Sequence, residues 1–237
     1  MAEHRHLTIA IDGPASAGKG TVARGVARRL GYQYVDTGAM YRSLAYIARE
    51  QGVSWASPQE VAQLAGTLDF AFVWDGELLR IEVDGRDYTR LIRSDSIGMG
   101  ASQISAHPPV RTALLTLQRD LGARGGVVMD GRDIGTVVLP TADLKVYLDA
   151  DLDIRAQRRH EELMRRGDVL SLSDVRKSLD ARDRQDRERA IAPLRCAEDA
   201  IRMDTSNMTE RQAVEAVLQR IPEARRQQAI DSGSSKQ

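Results

Sequence analysis

The sequence contains one cysteine, few lysines and no long apolar run. Cys196 alone cannot form an internal disulfide bond, and no histidine motif beside it indicates a reactive thiolate, so we interpret it as structural. No apolar stretch approaches the roughly 20 residues that a membrane-spanning helix needs. The amino terminus also lacks the apolar core of a secretory signal. We therefore expect a soluble, cytoplasmic protein with no membrane partner.

The chain has no net charge, because 34 basic residues balance 34 acidic ones. No overall field therefore attracts it to nucleic acid, and we expect a monomer without a nucleic-acid partner. Only four of the basic residues are lysines, which leaves 30 arginines, the residue that grips phosphates and carboxylates bidentately. GC-rich codon usage would produce the same bias, so composition leaves both explanations open.

Most of the chain alternates short apolar strands with amphipathic helices, which predicts an α/β fold with a parallel sheet flanked by helices. Residues 68–90 instead alternate apolar and polar side chains around two Asp-Gly pairs, Asp75-Gly76 and Asp84-Gly85. Such pairs favour hairpin turns. The predicted domains are a core over 1–66, 103–153 and 190–222, a small β-containing insertion over 67–102, an arginine-rich helical lid with the following helix over 154–189, and a disordered tail over 223–237.

The stretch GPASAGKGT at 13–21 lies between a predicted strand and a predicted helix. Gly13 and Gly18 let consecutive backbone amides point inward and Lys19 adds a full charge, so phosphate is the natural ligand. The Thr21 hydroxyl is a candidate ligand for Mg²⁺, bound with ATP as phosphoryl donor. We assign the whole loop to ATP: Gly13, Pro14, Ala15, Ser16, Ala17, Gly18, Lys19, Gly20 and Thr21.

A second motif, DGRD at 130–133, follows another apolar strand. Ligands of open parallel sheets bind beyond the carboxyl ends of the strands, so this turn is expected beside the phosphate loop. We interpret Arg132 and Asp133 as functional because flanking glycines bring the backbone close, although an ordinary surface ion pair is the plainer alternative. Asp130, at the strand end, is a candidate to orient the metal through water.

Two charged helices are predicted after residue 151. At 100° per residue, Arg182, Asp186 and Arg189 fall within about 60° of each other and would face one ligand, with Pro193 ending their helix. The helix before it carries a basic stripe that fits a lid over ATP phosphates, and we assign Arg158 to ATP. An RNA-binding face is disfavoured because no aromatics interleave the stripe. The stripe comprises Arg155, Arg158, Arg159, Arg165 and Arg166.

The ending GKGT, where the strict loop pattern has GKS or GKT, resembles nucleoside monophosphate kinases. Between residue 6 and about 221 the chain resembles bacterial cytidylate kinases in the segments GPASAGKGT, DTGAMYR, ASQIS with PPVRTALL, DGRDIGTVV and RDRQDRERAIAP. The resemblance implies a P-loop NTPase-type sheet, with 67–102 as the nucleoside monophosphate-binding insertion. It also implies ATP-dependent phosphorylation of CMP and dCMP to CDP and dCDP in pyrimidine nucleotide metabolism.

The resemblance implies a role for individual residues. Catalysis is assigned to Lys19, Arg42 and Arg132, the two arginines neutralising the acceptor phosphate. Asp133 would accept from the exocyclic amine of cytosine. The remaining acceptor ligands are Ser102, Arg111 and Arg189 for the base, Arg182 and Asp186 for the ribose, and Thr37, where the family often has serine.

Two other functions would also use a phosphate loop. A kinase for another small molecule, such as UMP or shikimate, would leave the DGRD, ASQIS and RDRQDRERA segments unexplained together. A nucleic-acid-stimulated ATPase would hydrolyse ATP without transferring its phosphoryl group.

Overall fold

The computed structural model of the protein describes residues 6–75 and 78–221. Of these residues, 6–33 and 125–221 pack into one compact unit, unit 1, and 34–124 pack into another, unit 2. The strands are β1 (Thr8–Asp12), β2 (Gln33–Asp36), β3 (Phe70–Asp75), β4 (Leu78–Val83), β5 (Arg86–Asp87), β6 (Val127–Gly131), β7 (Leu144–Asp149) and β8 (Ile201–Asp204). The α-helices are α1 (Lys19–Leu30), α2 (Thr37–Glu50), α3 (Pro58–Thr67), α4 (Asp95–Ser105), α5 (Pro108–Ala123), α6 (Leu152–Arg165), α7 (Leu172–Glu188) and α8 (Glu210–Leu218). A 3₁₀-helix covers Leu91–Arg93 and a π-helix covers Ile134–Val138.

A parallel sheet forms the centre of unit 1, with its strands in the order β6, β1, β7, β8. All five residues of β1 are buried, as its apolar pattern predicts. β2 starts with Gln33, whose N–H donates to the carbonyl of Gly126 at 2.8 Å. Because the strands are parallel, the residues that follow β1, β6, β7 and β8 emerge at the same edge of the sheet, called here the carboxyl edge. The predicted fold class is thus confirmed.

Helices cover this sheet in unit 1. The apolar stripe predicted for α1, made of Val22, Val26 and Leu30, is fully buried, and α1 packs on β6 and α8. Gly31 ends α1 in the left-handed conformation, with φ of +65°, as glycine commonly does after a helix. The helices α6 and α7 pack on each other, so the two predicted charged helices form a pair.

Unit 2 combines α2–α5 with a three-stranded antiparallel sheet in the order β3, β4, β5. The predicted Asp84-Gly85 turn is confirmed: φ is +50° at Asp84 and +76° at Gly85, as a type I′ hairpin turn requires. The other predicted turn includes Gly76, which lies outside the described residues. Unit 2 contains the predicted insertion 67–102 together with helices on both sides, and the insertion's boundaries stay a prediction.

Two local features of unit 1 differ from expectation. The helix predicted to run to Pro193 ends at Glu188 instead, because the chain turns back there and the Leu194 N–H donates to the Asp186 carbonyl at 2.8 Å. The π-helix after the DGRD motif carries no sequence signal that we recognised. The predicted tail 223–237 lies outside the described residues. Within the described ranges, no helix is long and apolar enough to cross a membrane.

The start of α8 provides a test of local stability. Thr209 and Gln212 form a capping box, in which each side chain bonds to the other residue's backbone N–H. Thr209→Ala should lower the free energy of unfolding by about 1 kcal/mol, because a backbone N–H loses its partner. Urea denaturation measures the effect, and Thr209→Ser, which keeps the hydroxyl, serves as control. Equal stability of the two variants would contradict this account.

Candidate active site

The loop after β1 has a backbone that few residue types can adopt. Gly13 has φ of +148°, and a Cβ there would lie 1.9 Å from the carbonyl oxygen of Leu148 in β7. Gly18, just before α1, has φ of +86°. Ser16 also has a positive φ, of +60°, a conformation that costs a residue other than glycine about 1 kcal/mol or more. The role of the two glycines was predicted from the sequence, whereas the backbone strain at Ser16 was not.

Side chains from elsewhere in unit 1 hold this loop. Thr205, which follows β8, donates its hydroxyl to the Ala17 carbonyl at 3.0 Å. Arg155 of α6 and Asp183 of α7 bond to the backbone of Ala15. We did not predict these anchors from the sequence, because hydrogen bonds to backbone atoms leave no spacing pattern.

Lys19, the first residue of α1, is buried and donates from Nζ to the Pro14 carbonyl at 2.6 Å. Burial, followed by the positive charge of Arg132, lowers its pKa from 10.5 to about 7, while the carboxylate of Asp130 acts in the opposite direction. Arg182 and Asp186 also act on it electrostatically. Lys19, the DGRD motif and α7 therefore interact electrostatically with one another. A bound anion here would raise the pKa of Lys19 and so stabilise its charged form.

The DGRD motif forms two ion pairs with α7 and the residue that follows it. Arg132 Nε donates to Asp186 Oδ2 at 2.7 Å, and an Arg189 N–H donates to Asp133 Oδ1 at 3.2 Å. Burial raises the pKa of Asp186, but the charges of Arg132 and Arg182 outweigh it and hold that pKa below its ordinary value. Four of the predicted acceptor ligands are therefore paired with each other at the carboxyl edge.

Arg189 reaches this site differently from the prediction. It lies immediately after α7 with φ of −58° and ψ of 138°, so it is outside the helix that holds Arg182 and Asp186. Its Nε donates to the Ala192 carbonyl at 2.5 Å, and Ala192 has a positive φ of +51°. Arg189 therefore reaches Asp133 from the turn that follows α7, and not from the helix face that carries Arg182 and Asp186.

Asp12 is a further buried acid that the sequence analysis did not identify. Its two carboxylate oxygens accept from the Ile134 and Gly135 N–H groups at 2.8 and 2.7 Å. Burial raises its pKa to about 6, despite the lowering effect of these two hydrogen bonds. The last residue of β1 thus holds the start of the π-helix, directly after Asp133.

Unit 2 contains four of the other predicted acceptor ligands, Thr37, Arg42, Ser102 and Arg111, whereas Arg182 lies on α7 in unit 1. Asp36, just before α2, accepts from the Ala39 N–H at 2.8 Å and from Arg42 at 2.9 Å. Burial raises the pKa of Asp36, but the charges of Arg42 and Arg93 outweigh it and lower that pKa below its ordinary value. The buried Arg42 Nε has no hydrogen-bond acceptor among the described residues.

Three more predicted ligands lie in unit 2. Thr37, the first residue of α2, is buried, and so is Ser102 of α4. Arg111 of α5 donates to the Ser105 carbonyl at 3.3 Å, and its guanidinium carbon lies 5.9 Å from the centre of the Tyr41 ring. Within its own unit, each predicted residue is thus attached to α2, α4 or α5.

The predicted arginine stripe on α6 is not uniform. Arg155 differs from the other four, because it is buried and donates to the Ala15 carbonyl of the phosphate loop. Arg158 donates to the Thr205 carbonyl at 2.6 Å, beside the phosphate loop. Its assignment to ATP stays a prediction. The other three bond locally: Arg159 and Arg166 to Glu162, and Arg165 to the Glu161 carbonyl.

A parallel sheet with a GKGT loop at its carboxyl edge defines the class of phosphate-loop nucleotide-binding proteins. A family model described as cytidylate kinase matches residues 9–223, which is most of the chain. The chain belongs to the cytidylate kinase family. This confirms the resemblance and makes the protein a nucleoside monophosphate kinase, a transferase.

Individual relatives agree with this assignment. The chain is 47% identical over 214 residues to cytidylate kinase from Desulfitobacterium hafniense (strain Y51), covering 90% of this chain and 92% of that protein. It is 45% identical over 215 residues to cytidylate kinase from Stutzerimonas stutzeri (strain A1501), with coverage of 90% and 92%. The chain can also be superposed on the solved structure of shikimate kinase from Acinetobacter baumannii in complex with shikimate, over 90% of both chains, with 17% identity and a TM-score of 0.44.

The Asp12 carboxyl gives a measurable pH dependence. Its folded-state pKa of about 6 lies above the ordinary 3.8, so the folded protein binds this proton more tightly than the unfolded chain does. The stabilisation from this group is therefore complete below about pH 4 and falls, by up to about 3 kcal/mol, as the pH rises to about 6.

Carboxyl ¹³C NMR should show the Asp12 resonance titrating near pH 6. Asp12→Asn should remove both that resonance and this part of the pH dependence of the unfolding free energy. A titration midpoint near pH 4 would contradict the proposed desolvation.

Proposed function

We propose that this protein transfers the γ-phosphoryl group of ATP to CMP and dCMP, producing CDP and dCDP in pyrimidine nucleotide metabolism. The observation that carries the proposal is the pairing of Asp133 with Arg189 beside the Arg132–Asp186 pair. This arrangement offers a carboxylate for a base amine, and guanidinium groups for a base carbonyl and a phosphate. The proposal is for a cytoplasmic monomer that acts on free nucleotides.

On the donor side, residues 13–21 would hold the ATP phosphates with backbone N–H groups, and Lys19 would add its charge. The donor is taken as Mg²⁺–ATP, and Mg²⁺ prefers hard oxygen ligands. The half-buried Thr21 hydroxyl and the buried Asp130 carboxylate suit such an ion. Thr21 would bind the ion directly and Asp130 through water, and the ion would neutralise charge on the transferred phosphoryl group.

The acceptor phosphate needs cations rather than a general base, because it is already anionic. Arg132 is suited to this task in unit 1, where Asp186 orients its guanidinium. In unit 2 the family resemblance assigns the same task to Arg42, which Asp36 orients in the same way. A carboxylate beside each arginine keeps that side chain in place before the phosphate binds, which reduces the entropy lost on binding.

Asp133 is the residue proposed to select the base. Its carboxylate would accept from the exocyclic amine of cytosine, with Arg189 beside it as donor. UMP presents a carbonyl oxygen at the position of that amine and would meet the carboxylate unpaired. Mismatches of this kind can discriminate by about 10⁴ to 10⁵.

The direct test is a panel of acceptors. ADP release from Mg²⁺–ATP is measured with CMP, dCMP, UMP, AMP, GMP and shikimate separately, and ³¹P NMR identifies the product. CMP and dCMP should dominate, with UMP lower by about 10⁴ in kcat/KM. Efficient use of UMP, AMP or shikimate would overturn the proposed acceptor. ATP hydrolysis without acceptor dependence would instead favour an ATPase.

Asp133→Ala tests the base-selecting residue. Removing this carboxylate takes away the proposed acceptor of the cytosine amine and the partner of one Arg189 N–H group, so kcat/KM for CMP should fall by about 10² to 10³. The KM for ATP should stay near the wild-type value, since the phosphate loop is unaltered. Asp168→Ala, which removes one exposed negative charge, is the control. Equal losses for CMP and ATP would point to a folding defect and contradict the assignment.

A further inference from the structure

One buried ion pair in unit 1 has no part in the proposed chemistry. Arg155 of α6 and Asp183 of α7 are 4% and 1% exposed, and Arg155 donates to Asp183 Oδ2 at 2.5 Å. Removing two charges from water costs so much that apolar replacements of a buried ion pair are often as stable or more stable. A gain in stability therefore does not by itself explain why these two charges are buried.

Both members of the pair bond to the backbone of the phosphate loop. The Ala15 N–H donates to Asp183 Oδ1 at 3.3 Å, and Arg155 donates to the Ala15 carbonyl at 3.2 Å. Arg155 Nε also donates to the Ala150 carbonyl, directly after β7, at 2.9 Å. The planar guanidinium thus spans two chain segments while it neutralises Asp183.

Apolar contacts connect the same elements. The Ala15 side chain belongs to a buried cluster with Ala156, Leu163, Val175 and Leu179. These four residues belong to α6 and α7. Polar and apolar contacts therefore dock this helix pair on the same residue of the loop.

Ala15 is the position where such contacts affect the loop most. It precedes Ser16, whose positive φ is strained and persists only where surrounding structure enforces it. The contacts that fix Gly13 and Ala17 come from the sheet and the residue after β8. Those at Ala15 come from α6 and α7, so the docking of these helices controls the strained part of the loop.

We propose that Arg155 and Asp183 are a positioning pair that holds Ala15 so that the loop binds ATP tightly only when α6 and α7 are docked. The pair does not touch the reacting atoms in this proposal. It acts through the backbone that presents N–H groups to the phosphates. The inference rests on the proposed use of ATP, but not on the identity of the acceptor.

The test is the double variant Arg155→Met/Asp183→Leu, which removes both charges and leaves neither one unpaired. Isothermal titration calorimetry measures binding of an imido analogue of ATP with Mg²⁺, in the absence of acceptor. The dissociation constant should rise by about tenfold or more, because a misaligned loop N–H group loses a hydrogen bond to a charged phosphate. The KM for CMP should stay within about twofold, whereas general unfolding would affect both nucleotides.

The matched control is Arg176→Met/Asp153→Leu. It removes another ion pair between α6 and α7, which is exposed and bonds away from the loop. Its dissociation constant for the ATP analogue should stay within about twofold of wild type. A change as large as that of the first variant would overturn the proposal, because any weakening of the helix pair would then suffice.

A folded Arg155→Met/Asp183→Leu variant with wild-type affinity for the analogue would also overturn the proposal. If that variant does not fold, Arg155→Lys decides. Lysine keeps the charge but cannot span both carbonyls and the carboxylate, so affinity for ATP should fall while the fold is kept. Unchanged affinity in folded Arg155→Lys would count against the pair. The calorimetric measurement contains no acceptor, so its result holds even if CMP proves to be the wrong substrate.

Discussion

Mutual neutralisation of buried charges is the constraint on which unit 1 depends. Asp133, Asp183 and Asp186 are buried at or near the carboxyl edge of the sheet, and each accepts a hydrogen bond from an arginine. An unpaired charge in such a place would cost several kcal/mol. Each arginine therefore has a partner that also fixes its direction. These arginine side chains are thus held in place by the protein itself.

Hydrogen bonds from side chains to backbone atoms connect other segments of unit 1. Asp12 links the end of β1 to the π-helix, and Thr205 links the residue after β8 to the phosphate loop. In both cases a side chain bonds to backbone atoms of a segment far away in sequence. One of these links lies next to the DGRD turn and the other holds the phosphate loop, so both segments at the carboxyl edge are fixed by distant side chains.

Much of this architecture could be predicted from the sequence. Apolar strands that end in a glycine-rich loop or an acid have a clear pattern, so β1, β6 and the phosphate loop were identified correctly. The DGRD turn was located correctly for the same reason. The Asp84-Gly85 turn was also predictable, because glycine readily adopts its required positive φ and aspartate tolerates it.

The rest depends on contacts that have no local signal. The end of α7 is set by the hydrogen bond from Leu194 to Asp186, not by Pro193. Arg155 looks like its neighbours in a basic stripe, and only the position of Ala15 shows why it is buried. Helical spacing gives the direction of a side chain around its helix, but it cannot say which element lies opposite.

The order of strands also has a consequence for synthesis. β1 is made first, yet its partners β6 and β7 begin at Val127 and Leu144. Residues 34–124 leave the ribosome as one continuous block before either partner exists, and they can become compact on their own contacts. Until then the apolar β1 has no strand partner, and unpaired apolar strands make incomplete chains prone to aggregate.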